Sequence, residues 1–410
     1  MRLDGKFLLI TLVLIVHRQI AVADEWKVSG ALDQEALYND NIAMRADPSA
    51  VFGYLLKPRL QADWSTAVMK VGVNGSGDIR RYDDQRWDCD NFSLGANQQY
   101  LQKRHVFSVS GEYSQRCSYS QQLEDTGILV PNNQMESYSI SPVWNWQVTP
   151  LDGLTLSPSY SETNYSRTQV DNNLATNVNY RNNKTFSANL SETHNWSRRL
   201  STNVGLFYSD TEFSNAGSTH SQSVFGFQLG GKYLISRAWS VNAGGGLRWV
   251  QQPFSVNTGS DSGNGSPLLA EVGNLDLVYK GRFIDYSLSY TRSINPSAYG
   301  QLFDYSSLSS RFSYQITKEL SFDLNGSISE NQTIGQAEVQ AANNRTYYSA
   351  STGLTWKFAK AWRLSASYRY QRQEFPDASA QASGAFANTR ESNAVMLNLN
   401  YNWDGWRVSR

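Results

Sequence analysis

The side chains that could carry out catalysis are few and scattered along the 410 residues, which include four histidines and two cysteines. One histidine, His220, lies between Ser218 and Ser221, with Asp210 upstream. A serine nucleophile needs a histidine base and an orienting acid within hydrogen-bonding reach. In a chain this rich in serine, proximity is weak evidence, so we expect no catalytic residue and keep a hydrolase as the least favoured alternative. The sequence also lacks Cys/His metal spacing and phosphate-binding motifs, so no metal or cofactor is expected.

The two cysteines, Cys89 and Cys117, are the other chemically distinctive residues. Their positions sum to 206, so a hairpin that turns at residue 103 would place them opposite each other. The apolar alternation disagrees, because Phe92 on one strand and Phe107 on the next would aim the two sulfurs at opposite faces. A bond would then require a β-bulge or a relaxed strand end. The N-terminal residues have the pattern of a secretory signal, described below, and therefore indicate an oxidising compartment. The sequence has no third cysteine that could compete, so we predict a disulfide between Cys89 and Cys117.

Alternating apolar and polar residues fill the chain from about residue 25 to the C-terminus. Leu320, Phe322 and Leu324, for example, alternate with polar residues such as Asp323 and Asn325. Eighteen such segments predict an all-β fold: a single closed antiparallel transmembrane β-barrel of about 18 strands, within a range of 16–18. Closure is required because hydrocarbon leaves no partner for the backbone groups of a sheet edge. A soluble β-solenoid or sandwich is the alternative, and it predicts extraction without detergent.

The connections alternate in length along the chain. Short turns fall near residues 65, 103, 150, 196, 237, 281, 318 and 360, and longer polar loops separate them, for example at 212–222. Short turns are typical of the periplasmic side of such a barrel and long loops of the extracellular side. His105 and His194 lie beside short turns, where we interpret them as solvated interfacial residues. Tryptophans beside these turns are expected to form an inner aromatic girdle: Trp64, Trp144, Trp146, Trp196, Trp239, Trp356, Trp362 and Trp403.

Composition and the N-terminus agree with export. Lysine and arginine total 36 and are balanced by 36 acidic residues, and zero net charge argues against a nucleic-acid partner. The mean hydropathy is −0.49. Arg2 and Lys6 precede the apolar run Phe7–Val16, and Ala21-Val-Ala23 follows it. This pattern predicts a signal peptide at residues 1–23 and a barrel over residues 24–410.

Charged residues recur on the polar side of the alternation. Between residues 276 and 372 they alternate in sign from strand to strand, which predicts a wall with ion pairs. They either keep the interior wet or filter solutes, with Arg248, Arg311, Arg363 and Arg369 giving a weak anion preference. Arg59, Glu112 and Lys357 follow the same pattern. The predicted pore-lining residues are Lys57, Lys70, Lys232, Arg248, Asp276, Asp285, Arg311, Asp323, Arg363 and Arg369.

Three features carry a family resemblance: the start Tyr38-Asn-Asp-Asn-Ile42, the recurring Ser/Thr–Lys/Arg turns and the hairpin repeat over the whole chain. They resemble the β-barrel porin families of Gram-negative bacteria, in particular those associated with exopolysaccharide and PEP-CTERM sorting systems. The last alternating segment, residues 393–403, ends in Tyr401-x-Trp403, which resembles the C-terminal signal of outer-membrane barrels, although Asp404–Arg410 follow it.

This resemblance implies an outer-membrane location after cleavage of the signal peptide. It implies membrane lipid, lipopolysaccharide, the barrel-assembly machinery and an exopolysaccharide as partners. The expected function is non-enzymatic: a porin-like pore for hydrophilic solutes or a component of exopolysaccharide export. A barrel occluded by its own loops that serves as a surface scaffold is the alternative.

Overall fold

The computed structural model describes residues 24–45, 47–117, 134–166, 181–215, 218–251, 267–296, 302–333, 344–375 and 389–409. The predicted signal peptide, residues 1–23, lies outside them. The described residues form eighteen strands: β1 (Glu25–Asn39), β2 (Val51–Ser65), β3 (Met69–Tyr82), β4 (Cys89–Leu101), β5 (His105–Cys117), β6 (Gln134–Gln147), β7 (Asp152–Ser166), β8 (Asn182–Asn195), β9 (Leu200–Asn215), β10 (Ser218–Leu234), β11 (Trp239–Gln251), β12 (Leu268–Lys280), β13 (Ile284–Pro296), β14 (Leu302–Gln315), β15 (Leu320–Thr333), β16 (Arg345–Trp356), β17 (Trp362–Glu374) and β18 (Thr389–Ser409).

Each strand pairs antiparallel with its neighbours in sequence, and the last strand pairs with the first. The closing ladder runs from Glu25↔Ser409 to Asn39↔Ala394. Every strand therefore has two hydrogen-bonded partners, and the sheet has no free side over the height of the barrel. The predicted fold, a closed antiparallel barrel with 18 strands, is confirmed.

The two faces of the wall differ in polarity because side chains alternate along a strand. One cross-strand row joins Tyr290, Leu308, Ile328 and Tyr348, all large apolar or aromatic residues. The adjacent row, one position away on each strand, joins Ser289, Ser309, Ser327 and Ser349. An apolar exterior and a polar interior are the reverse of a water-soluble barrel and typical of a membrane-spanning one.

In the described part of the chain, no helix is long and apolar enough to cross a membrane.

Eight connections of three to five residues lie at one end of the barrel, here called the short-turn end, together with the start of β1. All eight fall where the sequence predicted them. The opposite ends of the strands define the long-loop end. Residues 40–45 and 47–50 belong to loop 1, and residues 83–88 form loop 2, which contains a 3-10 turn at Gln85–Trp87.

Two sequence expectations about element bounds are wrong. Residues 212–222 were expected to be a loop, but Ser218–Gln222 pair with Thr211–Asn215, which leaves two residues between β9 and β10. The pairing survives there because polar residues can continue a ladder beyond the membrane. The last strand was expected to end near residue 403, but it continues to Ser409 along β1.

Candidate functional site: the polar lumen and its mouth

The register places all ten predicted pore-lining residues on the face opposite the apolar rows. Lys57 pairs across the wall with Asp33, Asp276 with Asn242 and Ser289, and Arg311 with Asn325. The face on which each of these side chains lies follows from local alternation alone, because side chains two residues apart on a strand point to the same face. The lumen face therefore carries these charges among many serine, threonine and asparagine side chains.

The lumen face of β1–β3 is charged and internally paired. Lys57 Nζ lies 2.9 Å from Glu35 Oε2, and Arg59 contacts Asp33. On β3, Arg80 Nη2 lies 2.5 Å from Asp78 Oδ2. Because Lys57, Arg59 and Arg80 each have a carboxylate partner, these three pairs add no net charge to this part of the wall.

Three lumen-face cations of β10–β17 contact neutral groups instead of carboxylates. The Arg248 guanidinium carbon lies 4.4 Å from the Phe207 ring centroid, and Arg311 Nε donates to Asn325 Oδ1 at 3.2 Å. Arg369 Nη2 lies 3.7 Å from Met396 Sδ. The expected ion pairs between residues 276 and 372 do not form on the lumen face of the described strands β12–β17.

Register explains this difference. Arg311 is directly opposite Asn325, whereas Asp323 is opposite Ser313, two positions closer to the short-turn end. Diagonal neighbours of this kind are about 7–8 Å apart at the backbone, so the amide is the nearer partner. Ion pairs in this half of the barrel lie on the outer face, where Arg292 Nη2 is 2.7 Å from Asp304 Oδ2.

A third part of the lumen face, on β6–β9, carries no charged residue in the described strands, and we call it the hydroxyl face. Its hydroxyl groups connect neighbouring strands: Ser159 Oγ lies 2.7 Å from Ser187 Oγ, and Thr185 Oγ1 lies 3.1 Å from Thr211 Oγ1. Beside it, a recess of about 390 Å³ is lined by small polar residues around one carboxylate: Asn74, Gly95, Asn97, Ser110, Gly111, Glu112, Ser139 and Ser141.

The long-loop mouth contains a buried apolar group that we call the mouth cluster. Its wall residues other than Cys117 take lumen-face positions of their strands, and loops 1 and 2 add Ala43 and Trp87 to it. Trp87 is only 5% exposed, so loop 2 folds over the inner side of the wall. The two loops therefore narrow the mouth at β18 and β1–β5. The cluster comprises Leu37, Ala43, Val51, Leu55, Tyr82, Trp87, Cys89, Cys117 and Ala394.

Loop 1 is held by the buried side chain of Asn41. Its Nδ2 donates to the Glu391 carbonyl at 2.8 Å and to the Arg45 carbonyl at 2.9 Å. Its Oδ1 accepts from the Arg45 N–H at 3.0 Å. Asp40 adds a second connection, because Asn393 N–H and Nδ2 donate to its carboxylate at 2.7 and 2.8 Å. Loop 1 is thus fixed to β18.

Loop 2 is held by carboxylate acceptors. The Tyr82 N–H donates to Asp88 Oδ1 at 2.7 Å, and the Phe52 N–H donates to Asp83 Oδ1 at 3.1 Å. The hydrogen bond from the Arg86 side chain lowers the pKa of Asp84, whose carboxylate also accepts the Arg86 N–H at the start of the 3-10 turn. These contacts keep Trp87 directed into the mouth cluster.

Cys89 and Cys117 are joined by a disulfide bond in the structure. They are not opposite each other, because the β4–β5 pairs sum to 207: the turn closes between Gln102 and His105. The ladder ends at Phe92↔Gln115, so both cysteines lie beyond it. The Cys117 N–H donates to Asn91 Oδ1 at 2.7 Å instead. A relaxed strand end, one of the two expected possibilities, removes the conflict of faces.

The histidines take different places. His105 accepts from Trp144 Nε1 at 3.2 Å, and His194 Nδ1 lies 2.5 Å from Asp152 Oδ1, a partner that the sequence did not indicate. The His220 backbone pairs with Phe213, while its side chain lies outside the described residues. Asp210 pairs with Ser223, three positions and therefore about 10 Å further along β10.

The mouth residues are the functional candidates that sequence reasoning missed. A signal was present, since Leu37 follows Asp33 and Glu35 on the lumen face and Leu55 precedes Lys57 and Arg59. Apolar residues at polar positions near the ends of strands indicate a wall covered by a loop. Which loop covers them depends on contacts between distant residues, such as Asn41 with Glu391.

The closed wall, its apolar outside and its polar inside define a transmembrane β-barrel. No protein-family model matches the sequence, and no curated protein matches it. Among solved structures, the chain is similar to Pseudomonas aeruginosa OpdL, with 11% identity and a TM-score of 0.45 over 94% of this chain and 99% of that one. OpdO from the same organism is 13% identical, with a TM-score of 0.47 over 94% and 97%. OccAB4 of Acinetobacter baumannii is 11% identical, with a TM-score of 0.47 over 94% and 98%.

Proposed function

We propose that this protein is a non-enzymatic pore for small hydrophilic solutes in the outer membrane of a Gram-negative bacterium. The observation that carries the proposal is the polar lumen face, continuous over all eighteen strands of a closed barrel. A barrel of 16–18 strands encloses an aqueous channel unless something fills it. The barrel-assembly machinery and lipopolysaccharide are the partners proposed for its insertion and its outer surface.

Single-channel conductance in planar lipid bilayers tests this function. A pore gives discrete open steps, whereas a barrel occluded by its loops gives none. The mouth cluster favours that second candidate, a loop-occluded surface scaffold, because loops 1 and 2 already cover one side of the lumen. If correctly folded protein gave no current steps in the bilayer, the pore would be rejected in favour of the loop-occluded surface scaffold.

The lumen-face arginines of β10–β17 that contact neutral groups and no carboxylate support a weak anion preference. The variant Arg248→Gln/Arg311→Gln/Arg363→Gln/Arg369→Gln should shift the reversal potential in a salt gradient towards cation selectivity, because it removes positive charge from the lumen. The control Lys57→Gln/Glu35→Gln removes one ion pair with no net change and should leave the reversal potential unchanged. An unchanged potential in the quadruple variant would mean that these charges only hydrate the wall.

Passage of a neutral carbohydrate is a finer proposal, and export of an exopolysaccharide is its strongest form. The hydroxyl face supports it, because serine, threonine and amide groups can exchange hydrogen bonds with sugar hydroxyls without a charge preference. Addition of a neutral oligosaccharide should produce transient blockades of the open current. No blockade at millimolar oligosaccharide would remove this proposal and leave the general pore intact.

A further inference from the structure

Seven of the eight short turns share one backbone hydrogen-bond geometry. In these seven the N–H of the first residue donates to the carbonyl of the fourth, as in Ser197 to Leu200 at 3.2 Å and Thr317 to Leu320 at 3.0 Å. The eighth, Ala359–Trp362, closes in the opposite sense at 3.3 Å. The second residue is basic in six of the eight turns: Ala67, Lys103, Pro150, Arg198, Arg237, Arg282, Lys318 and Lys360.

The turn geometry leaves this second residue at the tip. In the turn between β10 and β11, Ser236 Oγ accepts hydrogen bonds from the N–H groups of Ala238 at 3.2 Å and Trp239 at 3.0 Å. The backbone of the turn therefore occupies this hydroxyl group. The next side chain, Arg237, is exposed. All six basic residues are exposed, and the Lys360 side chain reaches 91%.

The charge at this rim is strongly one-sided although the chain is neutral overall. The short turns contain nine basic residues and a single acidic one, Glu319, which accepts from Thr317 Oγ1 at 3.2 Å. One further carboxylate comes from outside the turns, because Asp404 Oδ2 lies 3.0 Å from Lys360 Nζ. Five consecutive hairpins, from β8–β9 to β16–β17, each place a cation at the tip. We call these five residues the basic arc: Arg198, Arg237, Arg282, Lys318 and Lys360.

A large exposed apolar residue lies within two positions of every cation in the arc. Trp196 is 65% exposed, Ile235 50%, Phe283 53%, Ile316 44% and Phe358 45%. On a membrane-spanning barrel these side chains mark the edge of the hydrocarbon, and a cation just beyond it lies at the level of the lipid headgroups. The Arg282 guanidinium carbon lies 5.0 Å from the Phe283 ring centroid.

We propose that the basic arc binds the phosphates of anionic phospholipid headgroups in the leaflet at the short-turn end. The arc spans ten of the eighteen strands and repeats beside each apolar anchor, so it matches a curved row of lipid headgroups better than a protein that would touch one patch. This inference requires the barrel to lie in a membrane, but it does not require the lumen to conduct.

Quenching of intrinsic fluorescence in vesicles tests the proposal, because Trp196, Trp239, Trp356 and Trp362 lie at the same end. The probes are brominated phosphatidylglycerol and brominated phosphatidylcholine at equal fractions. At low salt we expect phosphatidylglycerol to be preferred about fivefold at the protein surface, with the preference falling as salt screens the charges.

The variant Arg198→Gln/Arg237→Gln/Arg282→Gln/Lys318→Gln should reduce this preference towards one. The control Arg81→Gln/Lys184→Gln/Arg292→Gln/Arg372→Gln removes the same charge from outer-face positions near the long-loop end and should keep the preference. Equal quenching by both lipids in the unsubstituted protein, or a preference that survives in the arc variant, would overturn the proposal. Heat-modifiable migration on gels verifies that each variant is folded. Single-channel conductance in the same lipids tests the proposed pore separately, so a failed lipid preference and a failed pore function can be told apart.

Discussion

One glycine allows the last strand to follow the first beyond the barrel wall. Gly405 has a φ of 78°, and a Cβ built on it would lie 1.4 Å from the Val28 carbonyl oxygen. It occupies the point where the β1–β18 register shifts between Val28 and Gly30. Both the left-handed backbone and the close contact therefore require a residue without a side chain.

We predict that Gly405→Ala lowers the free energy of unfolding by roughly 1–3 kcal/mol, because the new methyl group must displace the ribbon of β1 and β18. Urea titration of the barrel in lipid vesicles measures the change. Gly153→Ala is the matched control, since a Cβ at Gly153 meets nothing within 4 Å. Equal effects of the two substitutions would show that the close contact with Val28 is unimportant.

Asn41 is the second residue whose identity matters, because it is buried and makes three hydrogen bonds that fix loop 1. Asn41→Ala should cost about 1–3 kcal/mol by leaving buried backbone groups without partners. It should also raise the single-channel conductance as loop 1 leaves the mouth. Asn398→Ala, at mid-strand on the lumen face of β18, is the control. An unchanged conductance would indicate that loop 1 does not limit the mouth.

Strands β4 and β5 are connected twice, by their short turn and by the disulfide at their other end. The bond links residues 28 apart in sequence, so it restricts the unfolded chain considerably. Cys89→Ala/Cys117→Ala should lower the stability by about 3–4 kcal/mol on loop-closure grounds, as measured by denaturant unfolding. Faster migration of the unfolded protein on non-reducing than on reducing gels should accompany the bond. Free thiols in the folded protein would contradict it.

A barrel with an apolar outer face and a polar inner face is stable in a membrane, whereas a water-soluble barrel needs the reverse arrangement. Leu324 on the outer face is 48% exposed, and Ser327 on the same strand faces the lumen. In lipid vesicles, Leu324→Arg should destabilise the barrel by about 2–4 kcal/mol, because a charge at mid-membrane is poorly solvated.

Ser327→Arg adds the same side chain on the lumen side and should change the stability little. The comparison uses urea unfolding of the two variants in identical vesicles. A soluble β-protein would show the opposite order, since an exposed leucine is replaced by arginine without cost in water. That outcome would also withdraw the basic arc as a lipid-binding site.

The strand number, the two faces and the positions of the short turns could all be predicted from the sequence. These are local properties: the period of two assigns Leu324 outward and Asp323 inward, and Ser236-Arg-Ala-Trp239 forms its own turn. The same locality misassigned residues 212–222, because polar strand residues beyond a membrane resemble a loop in composition. It also ended the last strand too early, before Gly405.

The residues that fill the mouth of the lumen could not be predicted in this way, because they depend on the three-dimensional arrangement of the strands. Trp87 in the mouth cluster, Asn41 on the Glu391 carbonyl and Arg311 beside Asn325 rather than Asp323 depend on the register between strands and on residues far apart in sequence. The same is true of the cysteines, whose faces conflict until the β4–β5 ladder ends before them. Alternation along one strand predicts the face on which a side chain lies. Its position along the barrel axis and its cross-strand neighbours depend on the register of all eighteen strands in the closed barrel.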